Sequence, residues 1–335
     1  MSLKKWILAS TVFLMLLGTV FLFIQPNSLV QIPLPNPNGY DDLVKAGEMF
    51  VGDLPECVWS NLNDECLAET QAYLTTNREA LERARLGLTR ESRVPTEFTQ
   101  AYIGKHLPDL AKFKRLAQTL AAEGKVAEKE NRMDDAIQSY LDAARLNEKM
   151  RGGLMIDALV GIATETIGIG PLQKLSDSMT SEQRRAVIKS LARLYANRDS
   201  FEDTLNNEDA YFRNSSGVRD QIARLLMFRS MRRAEQKFET KIKFRRARLG
   251  LFLIDLAAKN FESDKGRPPK TLQELVPDYL SFLPKDDFSG INFVYRPITN
   301  GYQLYGVGSD KKDDGGTPLV QEGTDSAGDM VPNTR

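Results

Sequence analysis

LAQTLAAEGKVAEKENRMDDAIQSYLDAARLNEKM, residues 116–150, holds the clearest periodic pattern in the chain. Apolar residues recur at helical spacing in both halves, at Leu116, Leu120, Val126 and Ala127 and then at Ala136, Ile137, Tyr140, Leu141 and Ala144. The polar segment ENRMDD between the halves predicts a turn, with Asp134 or Asp135 capping the second helix. The stretch therefore predicts a helical hairpin.

This hairpin resembles a single tetratricopeptide repeat. The positions that carry the resemblance are those of the repeat's small residues, packing alanine and aromatic residue, here Gly124, Ala136, Tyr140 and Ala143. The repeat's usual tryptophan, first tyrosine and closing proline are replaced by Leu120, Ala127 and Glu148. Since no second copy follows at the repeat's period and a solenoid needs about three repeats, we expect an isolated hairpin.

The N-terminus predicts a membrane anchor. Lys4 and Lys5 precede WILASTVFLMLLGTVFLFI, residues 6–24, which contains no charged residue and is about long enough to cross a bilayer as a helix. The alternative is a cleavable signal peptide, although no small-residue cleavage pattern follows the apolar run. The two lysines keep the N-terminus in the cytoplasm under the positive-inside rule. Either alternative exports the rest of the chain.

The segment after the anchor, QPNSLVQIPLPNPNGY at residues 25–40, carries four prolines and no charge. Because proline cannot continue a helix or a central strand, we interpret this segment as an extended stalk.

Cys57 and Cys66 are the only cysteines. An even count with a short intervening loop predicts a disulfide in an oxidising compartment; the alternative is two buried free thiols.

Composition and motifs give no sign of catalysis. His106 is the only histidine, so a Ser-His-Asp or Cys-His arrangement would have to be built on it, and we interpret it as structural or exposed. Adjacent acids such as Asp286 and Asp287 suit caps and turns better than a two-carboxylate site. We therefore predict no catalytic residue. The formal net charge is zero, which gives no electrostatic reason to expect nucleic-acid binding.

Two internal segments allow more than one interpretation. Residues 152–172 are apolar and rich in glycine, but Asp157 and Glu165 interrupt them, which favours a buried helix over a second membrane span or a phosphate loop. Residues 213–248 carry a net charge of +9. This basic segment is either a solvated helix face whose arginines pair with acids, or a contact surface for a membrane or a protein partner.

The C-terminal quarter predicts a small α+β domain. A helical stripe through Leu249 and Leu256 leads to a short helix at TLQELV, capped by Thr271, and then to two strands, INFVYRP and GYQLYGVG. Asn300-Gly301 between them is a strong hairpin signal because both residue types tolerate positive φ. In the first strand, Ile291 and Phe293 are expected to share one face.

This region resembles the periplasmic head of the type II secretion major pseudopilin. The matching positions run in the family's order, at Asp264, Gly266, Pro269, Leu272, Leu275, Val276, Pro277, Tyr279, Leu280, Leu283, Pro284, Lys285, Asp286, Gly301, Tyr302, Leu304, Tyr305, Gly308 and Asp310. In that family the membrane helix runs directly into the head, whereas a helical domain separates the two here. The resemblance therefore implies the fold of the C-terminal module more directly than a role in secretion.

The resemblance also implies a calcium site, because the loop after the family's last strand binds that ion. Carried over, the candidate metal ligands are Asp310, Asp313 and Asp314, and carboxylate oxygens suit calcium. Lys311 and Lys312 lie inside the loop and would weaken binding by charge repulsion. The alternative is a solvated acidic loop.

Together these patterns predict a mainly α protein with five regions: a cytoplasmic tip and membrane anchor (1–24), the stalk (25–40), an α-helical domain (41–244), the pseudopilin-head-like α+β domain with its antiparallel hairpin (245–316) and a disordered tail (317–335). We expect a single-pass scaffold or interaction protein of the bacterial envelope, with the membrane and other envelope proteins as partners. A link to a type II secretion or pilus-like assembly is part of this expectation. The alternative is an extracytoplasmic hydrolase or ligand-binding protein with its site in the helical domain.

Overall fold

The computed structural model describes residues 32–60, 62–196, 201–215, 228–299, 301–319 and 327–332. These residues form nine α-helices: α1 (Gly39–Glu48), α2 (Asp64–Thr76), α3 (Arg78–Thr89), α4 (Tyr102–Lys129), α5 (Met133–Arg145), α6 (Met155–Leu175), α7 (Ser181–Ala196), α8 (Phe201–Ser215) and α9 (Phe228–Lys265). Two strands follow, β1 (Val294–Ile298) and β2 (Gly301–Tyr305). The prediction of a mainly helical fold with a C-terminal antiparallel hairpin is confirmed, while the predicted anchor at residues 6–24 lies outside the described residues.

The predicted hairpin is formed by α4 and α5, with a tight turn at Asn131, whose φ is +60°. The helices pack closely because Gly124 has no side chain: a Cβ there would lie 2.5 Å from Cε1 of Tyr140. The predicted cap is wrong. Arg132 is the N-cap and forms no side-chain capping hydrogen bond. Asp134 and Asp135 lie in the first turn of α5, where their negative charges interact favourably with the positive end of the helix dipole.

A hydrophobic core joins the helical domain to the C-terminal module. One cluster of buried side chains contains Tyr140 of α5, Leu172 of α6, Leu191 of α7, Phe252 of α9 and Phe293 of the module. Helix α9 is 38 residues long and runs unbroken across the expected boundary at residues 244 and 245. The module therefore packs on the same helix as the bundle.

The N-terminal half of the bundle has a core of its own. It is built from α1, α3 and α4 with the turn after α5, and its buried side chains include Tyr40, Leu43, Leu88, Phe113 and Leu146. Asn38 caps α1 by accepting a hydrogen bond from the Tyr40 amide. The expected stalk therefore ends two residues before its predicted boundary.

Helix α6 occupies the middle of the bundle and contacts α4, α5 and α9. Among the described residues, it is the one helix that is long and apolar enough to cross a membrane, judged by length and composition alone. Its two acids, Asp157 and Glu165, are both buried. Each has a partner on a neighbouring helix, which fits the interpretation of this segment as a buried helix.

The module is built around a two-stranded antiparallel sheet in which Val294 pairs with Tyr305 and Ile298 with Gly301. β1 begins later than expected: Phe293 is buried, but Ile291 is 67% exposed and lies outside the strand. Pro297 is in the edge strand β1, where the absence of an amide donor costs least. The cap expected from Thr271 does not form; instead the Glu274 carboxylate accepts from the Lys270 amide at 2.6 Å.

Part of the tail that was expected to be disordered is ordered into the module. Met330 is buried and its amide donates to the Gly306 carbonyl at 2.7 Å, with the reciprocal bond at 2.9 Å. Asp329 forms a bridge with Pro318. This pairing could not be predicted from the sequence, because it involves one residue on each side and leaves no periodic pattern of apolar residues.

Candidate functional site

The three aspartates predicted as metal ligands lie in the loop after β2, and each has its own partners. Asp313 accepts from the Tyr305 hydroxyl at 2.7 Å and pairs with Arg296 at 3.1 Å. Asp314 accepts from the Gly328 amide at 2.9 Å. Asp310 accepts from the Lys312 amide at 3.1 Å. The loop is therefore held by local hydrogen bonds.

These bonds shift the pKa of two groups in the loop. Hydrogen bonds from Tyr305 and the Gly315 amide lower the pKa of Asp313, and Arg296 lowers it further. Burial raises the pKa of Tyr305 to about 12, and the hydrogen bond to Asp313 adds to the rise. At neutral pH, Asp313 is thus an ionised acceptor and Tyr305 a neutral donor.

A fourth aspartate, Asp329, belongs to the same site but was not predicted. It is 0% exposed, and its Oδ2 accepts from the Gly316 amide at 2.7 Å. Its Oδ1 is buried and has no hydrogen-bond partner in the described part of the chain. Burial raises the pKa of Asp329, as do the nearby Asp313 and Asp314.

The fit of this loop to calcium is partial. The oxygen donors are of the right kind, and the free Oδ1 of Asp329 has capacity for a ligand. However, no group of three or more metal-ligating side chains converges within the described residues. Asp313 is also occupied by Arg296 and Tyr305. The predicted ligands are therefore near one another in sequence without being assembled into a site.

His106 lies in a buried polar cluster between α1, α4 and α6. Its Nε2 is 2.6 Å from Oδ1 of Asp157, and its Nδ1 is 3.4 Å from the Tyr40 hydroxyl. Tyr102 stacks on the imidazole at 4.7 Å between ring centroids. Oδ2 of Asp157 accepts from the Leu154 amide at 2.8 Å.

This cluster suits a structural clamp better than a catalytic centre. His106 is 4% exposed and Asp157 is 0% exposed, so neither side chain meets solvent. Burial raises the pKa of Tyr40, and Asp157 raises it further, which keeps the phenol protonated. The hydrogen-bond chain from Tyr40 through His106 to Asp157 ties three helices together and caps the first turn of α6.

A cleft of about 170 Å³ separates α6 from the basic part of α9. Its single carboxylate is Glu165, which binds Arg245 at 2.7 and 2.5 Å and accepts from the Asn147 amide group at 2.8 Å. The side chains of Arg245 and Glu165 are 8% and 5% exposed. The carboxylate thus accepts three hydrogen bonds, one at Oε1 and two at Oε2, and is buried beside Arg245.

Several cations of the basic segment, residues 213–248, form ion pairs with acidic side chains. Arg213 binds Asp209 at 2.6 Å, Lys243 binds Glu239 at 2.8 Å and Arg246 binds Asp287 at 2.7 Å. Arg246 also stacks over the ring of Tyr195. At these three positions, the contacts favour the interpretation of a helix face whose cations pair with acids.

The two cysteines of the predicted pair are brought together at the start of α2. The sulfur atoms of Cys57 and Cys66 lie 2.08 Å apart, at disulfide distance. The bridge links the short 3-10 helix Glu56–Trp59 to the first turn of α2.

No family model, curated protein or solved structure matches the chain.

Proposed function

We propose that the chain is a membrane-anchored, extracytoplasmic scaffold or interaction protein of the bacterial envelope, linked to a type II secretion or pilus-like assembly. The observation that carries this proposal is the continuous α9, which packs the pseudopilin-like module and the helical bundle around one core. Such a unit presents several surfaces in a fixed relation. The cysteine pair at disulfide distance supports an oxidising compartment.

A topology experiment tests the location. Alkaline phosphatase and green fluorescent protein are fused in separate strains to the C-terminus of the full chain, and membranes are washed with carbonate. The proposal expects phosphatase activity, no fluorescence and retention in the pellet, with loss of retention when residues 1–24 are replaced by a cleavable signal peptide. A fluorescent, inactive fusion would contradict it.

A second candidate is an extracytoplasmic hydrolase or ligand-binding protein with its site in the helical domain. The cleft between α6 and α9 favours this alternative, because it is lined by apolar side chains with Lys241 and Arg245 beside them. The engaged state of Glu165 weighs against acid–base chemistry there, since a general acid or base must reach the substrate proton.

Calcium binding by the loop after β2 is a further part of the proposal. Binding requires Asp313 to exchange Arg296 and Tyr305 for the ion, while Asp314 and the free oxygen of Asp329 are adjacent donors. Calorimetry of the full chain in detergent with calcium, and melting with and without chelator, test it. The proposal expects binding heat and a raised melting temperature, both lost in D314N and kept in D134N, which changes an acid on α5. No heat would identify a solvated acidic loop.

A further inference from the structure

The exposed surface of α7 lies between two pockets. The first, here called the apolar pocket, has a volume of about 430 Å³ and lies between α7, α9 and the segment after Val276. Its apolar lining includes Ile188, Ala192, Leu253, Leu280 and Phe282, and its charged lining residues are Arg185, Lys189 and Asp278. It is therefore formed where the helical bundle meets the C-terminal module.

The second, here called the basic pocket, has a volume of about 310 Å³ and lies between α5 and α7. Its charged lining residues are Arg145, Lys189 and Arg193, with Glu148 as the one acid. Lys189 lines both pockets, so the two lie side by side across α7. The basic pocket keeps a net positive charge after Glu148 offsets one cation.

Two of these cations form no ion pair in the described part of the chain. Arg185, on the same face of α7, is bound to Asp264 at 2.8 Å, and Arg145 is 3.5 Å from Asp142. Lys189 and Arg193 have no such partner among the described residues, and both are exposed. Since they are four residues apart on a helix, like charges at these positions destabilise it slightly.

The apolar lining of one pocket and the positive charge of the other define the kind of ligand that this surface can bind. We infer that this surface binds a segment of a partner protein, with an apolar side chain in the apolar pocket and a carboxylate in the basic pocket. The pockets are separated by about the width of a helix, roughly 10 Å, which an extended peptide covers in about three residues. Both pockets open to solvent, so side chains of a partner segment can enter them. The inference rests on the proposed function and specifies its partner.

The test is selection of a random 12-residue phage-displayed peptide library on the full chain in detergent micelles. We expect enriched peptides that combine an apolar residue with Asp or Glu about three positions away. As synthetic peptides they should bind K189E/R193E at least tenfold more weakly than the unmodified chain, because charge repulsion replaces attraction. A192W, which fills the apolar pocket without changing charge, should weaken binding to a similar extent.

The matched control is K105E/K114E, which reverses two exposed lysines on α4 and should bind the peptides like the unmodified chain. Melting curves establish that each variant is folded. Failure to enrich acidic apolar peptides, or equal binding by all variants, would overturn the inference. So would loss of binding to phosphatidylglycerol vesicles in K189E/R193E without any peptide binding, which would assign the surface to lipid. The topology experiment tests the proposed function separately, because none of these variants alters the anchor.

Discussion

Gly124 is the residue at which the packing of the helical hairpin is tightest. It lies on α4 against Tyr140 of α5, whose side chain is fully buried, and an added Cβ would meet three ring atoms at less than 3.0 Å. The ring cannot move away easily because its hydroxyl donates to Glu128 at 3.0 Å. Both positions belong to the helical hairpin that the apolar spacing of residues 116–150 predicted.

We therefore predict that G124A destabilises the chain by about 1–3 kcal/mol, the usual cost of overpacking a core. Urea unfolding followed by circular dichroism measures this change. G104A is the control, since Gly104 lies on the same helix with open space around its Cα, and we expect it to be neutral or slightly stabilising. Equal stability of G124A and G104A would contradict the packing argument.

Glu274 shows how local bonds set a charge in the module. Hydrogen bonds from Arg267 and from the Lys270 amide lower the pKa of Glu274 to about 2. Because the folded pKa lies below the unfolded one, the pair stabilises the fold at neutral pH, and this stabilisation is lost as pH falls from about 4.5 towards 2.

Carboxyl NMR titration of the folded chain checks this prediction. The Glu274 signal should titrate near pH 2 in the unmodified chain and closer to the ordinary glutamate value of about 4.3 in R267Q. R296Q is the matched control, because it removes an arginine from Asp313 without touching Glu274. An unchanged Glu274 midpoint in R267Q would show that the arginine does not hold the carboxylate.

At the scale of the elements, the contact between α6 and α9 includes the buried pair of Glu165 and Arg245. Removing one partner leaves the other charged and buried without compensation, which costs about 3–5 kcal/mol. We predict this loss for R245M. Replacing both in E165L/R245M should recover most of it, since apolar residues of similar size tolerate such positions.

A double-mutant cycle by chemical unfolding measures this coupling. K243M serves as the control, because Lys243 is on the same helix and pairs with Glu239 at a more exposed position, where the expected loss is about 0.3–0.5 kcal/mol. If E165L/R245M were less stable than R245M, the pair would contribute through specific geometry rather than through mutual neutralisation.

The elements also show what a single sequence reveals. The stripe from Ala136 to Ala144 predicted α5 because every apolar position faced one core. The hairpin signal predicted that β1 and β2 pair, which they do, although Asn300 itself lies outside the described residues. The pairing of Met330 with Gly306 and the bond between His106 and Asp157 could not be predicted. Both contacts join residues far apart in the chain, and a local sequence pattern does not indicate which distant residues will meet. For the same reason, the sequence did not predict that Asp329 lies beside the loop after β2.

At the scale of the whole molecule, α9 decides whether the chain is one folded unit or two. Its C-terminal half carries buried residues such as Leu253 and Ile254, which belong to the cluster shared by bundle and module. Tyr302 of β2 donates to the buried Asp255 at 2.8 Å, and Gly250 lies against Phe293. The apolar pocket exists only because these parts are packed together.

The central claim is thus that bundle and module form one cooperative unit on α9, and native-state hydrogen exchange of the full chain tests it most directly. We predict that amides in α4, in residues 249–261 of α9 and in β2 converge on a single opening free energy as denaturant is added, because all three contribute side chains to one buried cluster, with Ala121 and Ala127 from α4 and Leu304 from β2. If β2 instead opened at a distinctly lower free energy while α4 and α9 stayed protected, the module would be an independent domain, and the shared scaffold would be contradicted.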